Sequence, residues 1–189
     1  MPTLSGILEA TSSVIKSLSD GEKPPLHVGE VMSCWTYLAF IQDIINYESV
    51  ALNTTTDKEL TELCQEALKI TQSHEKLIKD FMGKEGIPLP DGPQIKPKSD
   101  PNAIPMGAKF TDKELANAVA INLAYAASIC ANSAIQSLRS DVGLMFFKFQ
   151  ADKMMFGTTV KTLMEKRGWL KKPPYFYQSG LPAQSENSL

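Results

Sequence analysis

Histidine is almost missing from this sequence of 189 residues: there are two, His27 and His74. A centre that needs several imidazoles is therefore excluded. Cysteine is nearly as sparse, with Cys34, Cys64 and Cys130 far apart and no Cys-x-x-Cys, so zinc-ribbon and thioredoxin chemistry have no support. An odd number of thiols on apolar helical faces predicts reduced, buried cysteines. Neither sign of charge is in excess. With 19 Lys and Arg against 21 Asp and Glu, the net charge is −2, which argues against the basic face of a dedicated nucleic-acid binder. No run of about 18 apolar, uncharged residues occurs, so no membrane span is expected. The amino-terminal 20 residues lack the basic start and apolar run of a secretory signal, so the expectation is a fold in a reducing cytoplasm. The glycosylation triplet Asn53-Thr54-Thr55 has no role there. Phosphate-loop and dinucleotide glycine patterns are absent too.

What is present is helical periodicity. Residues 3–18 carry Ile7, Ala10, Val14 and Leu18 at helical spacing, which predicts a short amphipathic helix packed across the outside of the fold or against a second subunit. From His27 to about Asn53, a three-four line runs through Val31, Cys34, Leu38, Ile41, Ile45, Glu48 and Leu52. Trp35, Phe40 and Ile44 widen it. A Thr-rich turn follows, and Thr56 with Glu59 has capping-box spacing. The next line is Leu60, Leu63, Ala67, Ile70, His74, Leu77 and Phe81, with lysines and glutamates on the solvent side. Residues 83–110 are rich in proline and glycine. At ~3.3 Å per residue they could span more than the ~40 Å length of a 27-residue helix.

Thr111 with Glu114 is a second capping box and opens an alanine-rich third long helix. A Met- and Phe-rich fourth is expected to be capped by Ser140 and Asp141 and stopped by Gly168. Two helical hairpins joined by one long connection predict an all-α, ferritin-like antiparallel four-helix bundle with a long crossover and an extra amino-terminal helix. The expected organisation is residues 1–22 as the amphipathic helix, 26–172 as the bundle with its crossover at 83–110, and 173–189 as an aromatic, then disordered, tail.

Several motifs point the same way: Gly29-Glu30-Val31 leading to Trp35, Glu85-Gly86-Ile87-Pro88-Leu89-Pro90, Ser140-Asp141, and Gly168-Trp169-Leu170-Lys171-Lys172-Pro173-Pro174. In this order and spacing, over roughly residues 27–178, the chain resembles the uncharacterised ferritin-like family of spore-forming bacteria related to spore coat protein F. The resemblance implies a four-helix bundle, a spore-coat context beside the cytoplasmic one, and no established reaction or catalytic motif.

Di-iron bundles use a Glu from each of two helices and a Glu-x-x-His from each of the others. Here Thr71 stands where the glutamate before His74 should be, and the fourth helix has no histidine. His74-Glu75 begins like a zinc-protease motif, but Ile78 replaces its second histidine. Folding the first hairpin about Thr54 and Thr55 places Glu48 ~20 Å along the axis from His74 and near a bundle end, with access to water. His74 and Asp152 fall at similar heights and form the best polar pair of the core. They are the candidate metal residues, for a divalent ion. No catalytic residue and no organic cofactor is expected. Trp169, Tyr175 and Tyr177, beside Lys171 and Lys172, are the candidate partner-binding residues. The expectation is thus a non-enzymatic structural or assembly protein with protein partners or self-association. The alternative is a metal-binding bundle with a reduced ligand set around His74.

Overall fold

The computed structural model describes residues 23–94 and 96–176. The amino-terminal segment 1–22, residue 95 and the tail from residue 177 lie outside them, as do the helix expected at residues 3–18 and the candidate Tyr177. Four long helices account for most of the rest: α1 (Val28–Leu52), α2 (Lys58–Lys84), α3 (Asp112–Gln136) and α4 (Ser140–Lys166). No strand occurs among the described residues. The fold is an all-α, ferritin-like four-helix bundle.

Local chemistry sets the helix ends. His27 caps α1: its Nδ1 accepts from the Gly29 and Glu30 amides at 3.0 and 3.3 Å, while the Glu30 carboxylate accepts from the His27 amide at 3.1 Å. The Thr111–Glu114 box opens α3 as expected. Two expected starts are corrected. Asp57, not Thr56, caps α2, its carboxylate accepting from the Leu60 amide at 3.0 Å. In α4 the cap position falls on Arg139, whose side chain caps nothing. The Asp141 carboxylate pairs with that Arg139 instead and accepts from the Val142 amide at 3.0 Å. Both α2 and α4 stop on a glycine with positive φ, Gly86 at 69° and Gly168 at 67°. After each, an amide reaches back five residues: Ile87 N–H to the Met82 carbonyl at 2.9 Å, and Trp169 N–H to that of Met164 at 2.8 Å. Side chains strain at such φ values, so glycine is the economical stop.

Residues 85–111 cross from one end of the bundle to the other. They leave beside Arg139, which holds Glu85, and arrive beside the α1–α2 turn, where Thr55 donates to Asp112 at 2.7 Å. Asn53 fastens the crossover by donating to the Pro97 carbonyl and accepting from the Ser99 amide. Helix α3 therefore runs parallel to α2 and antiparallel to α1 and α4.

The apolar core is split. One cluster, with Leu38, Ile41, Ile78, Met82 and Phe146, lies toward the Arg139 end. The other, with Leu60, Leu63, Leu115, Val160 and Met164, lies toward the crossover's arrival. All three cysteines are buried and free. The line expected along α2 drifts in its last turns: Ile78 and Met82 are sealed, and Leu77 is 41% exposed. A strict seven-residue repeat slips around a helix of 3.6 residues per turn.

A polar layer at the centre of the bundle

Between the two apolar clusters, each helix contributes polar side chains. Tyr37 of α1 lies 2.9 Å from His74 Nδ1 of α2, and His74 Nε2 lies 3.1 Å from Asp152 Oδ2 of α4. Cys130 of α3 lies beside Tyr37. A carboxylate only accepts, so Nε2 carries the imidazole proton and Nδ1 accepts from the tyrosine hydroxyl. The Lys148 ammonium donates to Asp152 at 3.0 Å from the solvent side. Rings pack around the chain: His74 stacks on Phe149 at 4.2 Å, and Tyr37 on the same ring at 5.4 Å.

One turn further along, Thr71 of α2 donates to the Glu48 carboxylate of α1 at 3.3 Å, and the Lys153 ammonium of α4 reaches Thr71 Oγ1 at 2.8 Å. Glu48 and Lys153 are each only 3% exposed. This corrects the expected position of Glu48, which is neither at a bundle end nor a whole helix half away from His74. Side chains lean toward their own helix's amino terminus, and the long glutamate uses that lean to reach inward.

Burial sets the protonation states. It pushes His74 down to about 4, aided by the nearby Lys153 charge and opposed by Asp152, so the imidazole is neutral at pH 7. Glu48 is raised by burial to about 7, against the pull of Lys153 and Thr71. Its Oε2 has no hydrogen-bond partner among the described residues. Lys153 is shifted down by burial, with Glu48 opposing. Burial alone would raise Asp152, but hydrogen bonds from Lys148 and His74 prevail and lower it. The thiols of Cys34, Cys64 and Cys130 are each pushed up by burial to about 12, so they are poor nucleophiles.

The structure thus brings the candidate pair His74 and Asp152 together, beneath an open groove of about 690 Å³ between α2 and α4. The donor set does not fit a divalent ion. Both His74 nitrogens are engaged, Asp152 is shared with Lys148, and the Lys153 ammonium sits beside the one other central carboxylate. No group of three or more His, Cys, Asp or Glu side chains suited to a metal occurs among the described residues. Sequence reasoning passed over Lys153 and Tyr37. A signal existed for Lys153: it continues the three-four line Phe149, Phe156, Val160 that buries α4.

The candidate partner residues divide. Trp169 is half-buried, packs on the core and lies under the Arg167 guanidinium at 5.6 Å. Tyr175 is 80% exposed and Phe176 91%.

Comparison with known proteins agrees with this architecture. Residues 16–180 match the family described as Protein of unknown function (DUF3231). The uncharacterized protein YvdQ of Bacillus subtilis is 30% identical over 154 residues, which is 82% of this chain and 91% of that protein. The crystal structure of a candidate spore coat protein from Bacillus halodurans shares 34% identity at a TM-score of 0.79, covering 82% of this chain and 98% of that one. A two-domain protein of Anabaena variabilis with DJ-1/ThiJ/PfpI-like and ferritin-like domains aligns over 81% of this chain and 41% of its own at a TM-score of 0.59. At 13% identity that likeness shows the fold alone. These matches bear out the family resemblance read from the motifs at the helix ends.

Proposed function

The chain belongs to the DUF3231 family, and from that membership we propose that it is a non-enzymatic structural or assembly protein of the spore coat. The observation that carries this reading is how the centre of the bundle is filled. The Thr71 hydroxyl stands between an ammonium, that of Lys153, and the Glu48 carboxylate. The imidazole spends both nitrogens on Tyr37 and Asp152, and the nearby thiol is held in its neutral form. Such a network holds four helices in one register and leaves no group poised for turnover.

The coat context is supported by the Bacillus halodurans relative, a candidate spore coat protein. Partner contact falls to the carboxyl-terminal end, where Tyr175 and Phe176 stand exposed beside Lys171 and Lys172. Aromatic side chains with flanking cations are the usual anchors of a protein interface, and Trp169 roots this segment on the bundle.

The test is a fluorescent fusion expressed through sporulation, beside a Tyr175→Ser, Phe176→Ser double variant. The expected result is a fluorescent spore outline for the natural chain and diffuse signal for the variant. Stoichiometric iron, manganese or zinc in protein purified without chelators, lost in His74→Ala, would overturn the reading in favour of the metal-binding alternative.

A further inference from the structure

Helix α3 covers its partners with one side and shows the other bare. From residue 115 to 138 the sequence holds no charged residue. By length and composition it is the one described helix long and apolar enough to cross a membrane, yet its Leu115, Val119, Leu123 and Ala126 are buried in the bundle. On the outer side Ile121 is 68% exposed, Tyr125 58% and Ile135 84%, with Leu138 at 80% just beyond. Met154 and Phe147 of α4 continue the surface at 59% and 56%. A groove of about 290 Å³ between the two helices is lined by Ala120, Ala124, Ala127 and Gly157. A face this long and apolar calls for a cover.

The chain itself supplies one. Lys23 is held 2.9 Å from Asp141 in the first turn of α4, and Leu26 packs into the core there. The segment before Lys23 therefore joins the fold at the end of the bundle where Leu138 and Phe147 stand bare. Residues 3–18 would make a helix ~24 Å long, against ~26 Å from Ile121 to Leu138 along α3. Residues 19–22 bridge at most ~14 Å. The segment's only charges between residues 3 and 18 are Glu9 and Lys16, which cancel. The charges on this groove are Lys153, which is sealed, and Lys161 at its far end. An otherwise uncharged face and a nearly uncharged segment suit each other, whereas the solvent side of α2, with Glu59, Glu62, Glu66, Lys69, Lys76 and Lys79, would repay it with desolvation. The other bare patch at this end, Val28, Met32 and Trp35 of α1, stops short at Gln42, which meets the charged pair Glu75 and Lys79.

We propose that residues 3–18 pack the stripe Ile7, Ala10, Val14 and Leu18 onto the outer face of α3 and α4 of the same chain, running parallel to α3. The segment is a built-in cover for the most apolar surface of the bundle. Because it is tethered, it competes at high effective concentration with any external partner.

Thiol cross-linking of the full chain tests this, since the native cysteines are sealed and their thiols protonated. Ala10→Cys with Ser128→Cys on α3 is expected to close a disulfide within one chain for most of the protein under mild oxidant. Ala10→Cys with Gln72→Cys on α2 is expected to close little. Neither α-helical partner position is buried, so both variants should fold. Removal of residues 1–18 is expected to raise binding of an apolar dye several-fold. Equal closure in the two pairs, a disulfide found only between two chains, or unchanged dye binding would each overturn the proposal. The between-chain disulfide would assign the face to a second copy.

Discussion

Arg139 at one end of the bundle and Lys153 at its middle are both nearly sealed cations, 4% and 3% exposed, yet the fold treats them in opposite ways. Arg139 meets two carboxylates. It donates to Glu85 at 2.8 and 2.7 Å and to Asp141 at 3.0 and 2.8 Å, and its amide donates to Glu30 at 2.7 Å. Both partner carboxylates are lowered, chiefly by the guanidinium hydrogen bonds. Lys153 reaches a carboxylate as deeply buried as itself, Glu48, through the Thr71 hydroxyl, and both are pushed toward their neutral forms. The difference is access to water. Glu85 and Asp141 keep 27% and 28% of their side chains exposed, so they pay little desolvation and gain the pairing. Glu48 pays in full. One network clamps the bundle by charge, whereas the other holds it by hydrogen bonds among groups close to neutrality.

The comparison breaks first at Arg139. Arg139→Ala should cost about 3 kcal/mol in denaturant unfolding, because Glu85 and Asp141 lose a shared donor while Glu30 keeps the backbone amide. A loss below about 1 kcal/mol would mean that the end cluster behaves as an ordinary surface pair.

The second test uses pH. Glu48 is raised from its usual range to about 7, so its contribution to stability is full below its unfolded pKa and is lost as pH climbs through about 7. His74 is depressed to about 4, so its contribution is present above its unfolded value near 6.5 and is lost as pH falls through about 4. Between about pH 4.5 and 6.5 the two slopes oppose each other at roughly 1.4 kcal/mol per pH unit apiece. Glu48→Gln removes one of them. Relative to the natural chain, the variant should therefore gain about 2 kcal/mol across that window as pH rises. A parallel pH profile for the two proteins would show that Glu48 is not held near neutrality.

Smaller effects sharpen the contrast. Gly168→Ala should cost about 1 kcal/mol in melting experiments, since φ of 67° strains any side chain there. Glu48→Gln combined with Lys153→Met should change stability by no more than about 1 kcal/mol, or raise it, since a buried pair replaced by neutral groups of similar size is often neutral. A loss as large as that of Arg139→Ala would make the central pair a charge clamp after all.

The motifs that carried the family resemblance prove to be the joints of the bundle. Glu30 closes the first helix cap and holds the α3–α4 turn. Glu85 and Asp141 hold Arg139, and Gly86 and Gly168 stop α2 and α4. The caps and glycine stops among them were legible because they are local, fixed within one turn of helix, whereas Glu30 and Glu85 reach Arg139 across the fold. The pairing of His74 with Asp152 was legible as well, because both lie on buried lines and the crossover length set their heights. Glu48 was misplaced by the same reckoning, which counts backbone rise and ignores the reach of a long side chain across to Thr71.

The sequence by itself determined the four helices, their stops, the crossover and the reduced state of the thiols, because these depend on period, capping and composition along one stretch of chain. Only the tertiary structure decided which charges lie inside. Lys153 sits on α4 among aromatic residues, and nothing near it in sequence announces a partner. Glu48 on α1 and Thr71 on α2 become its neighbours only once the helices have chosen their offsets, and that choice is made by packing across the whole core.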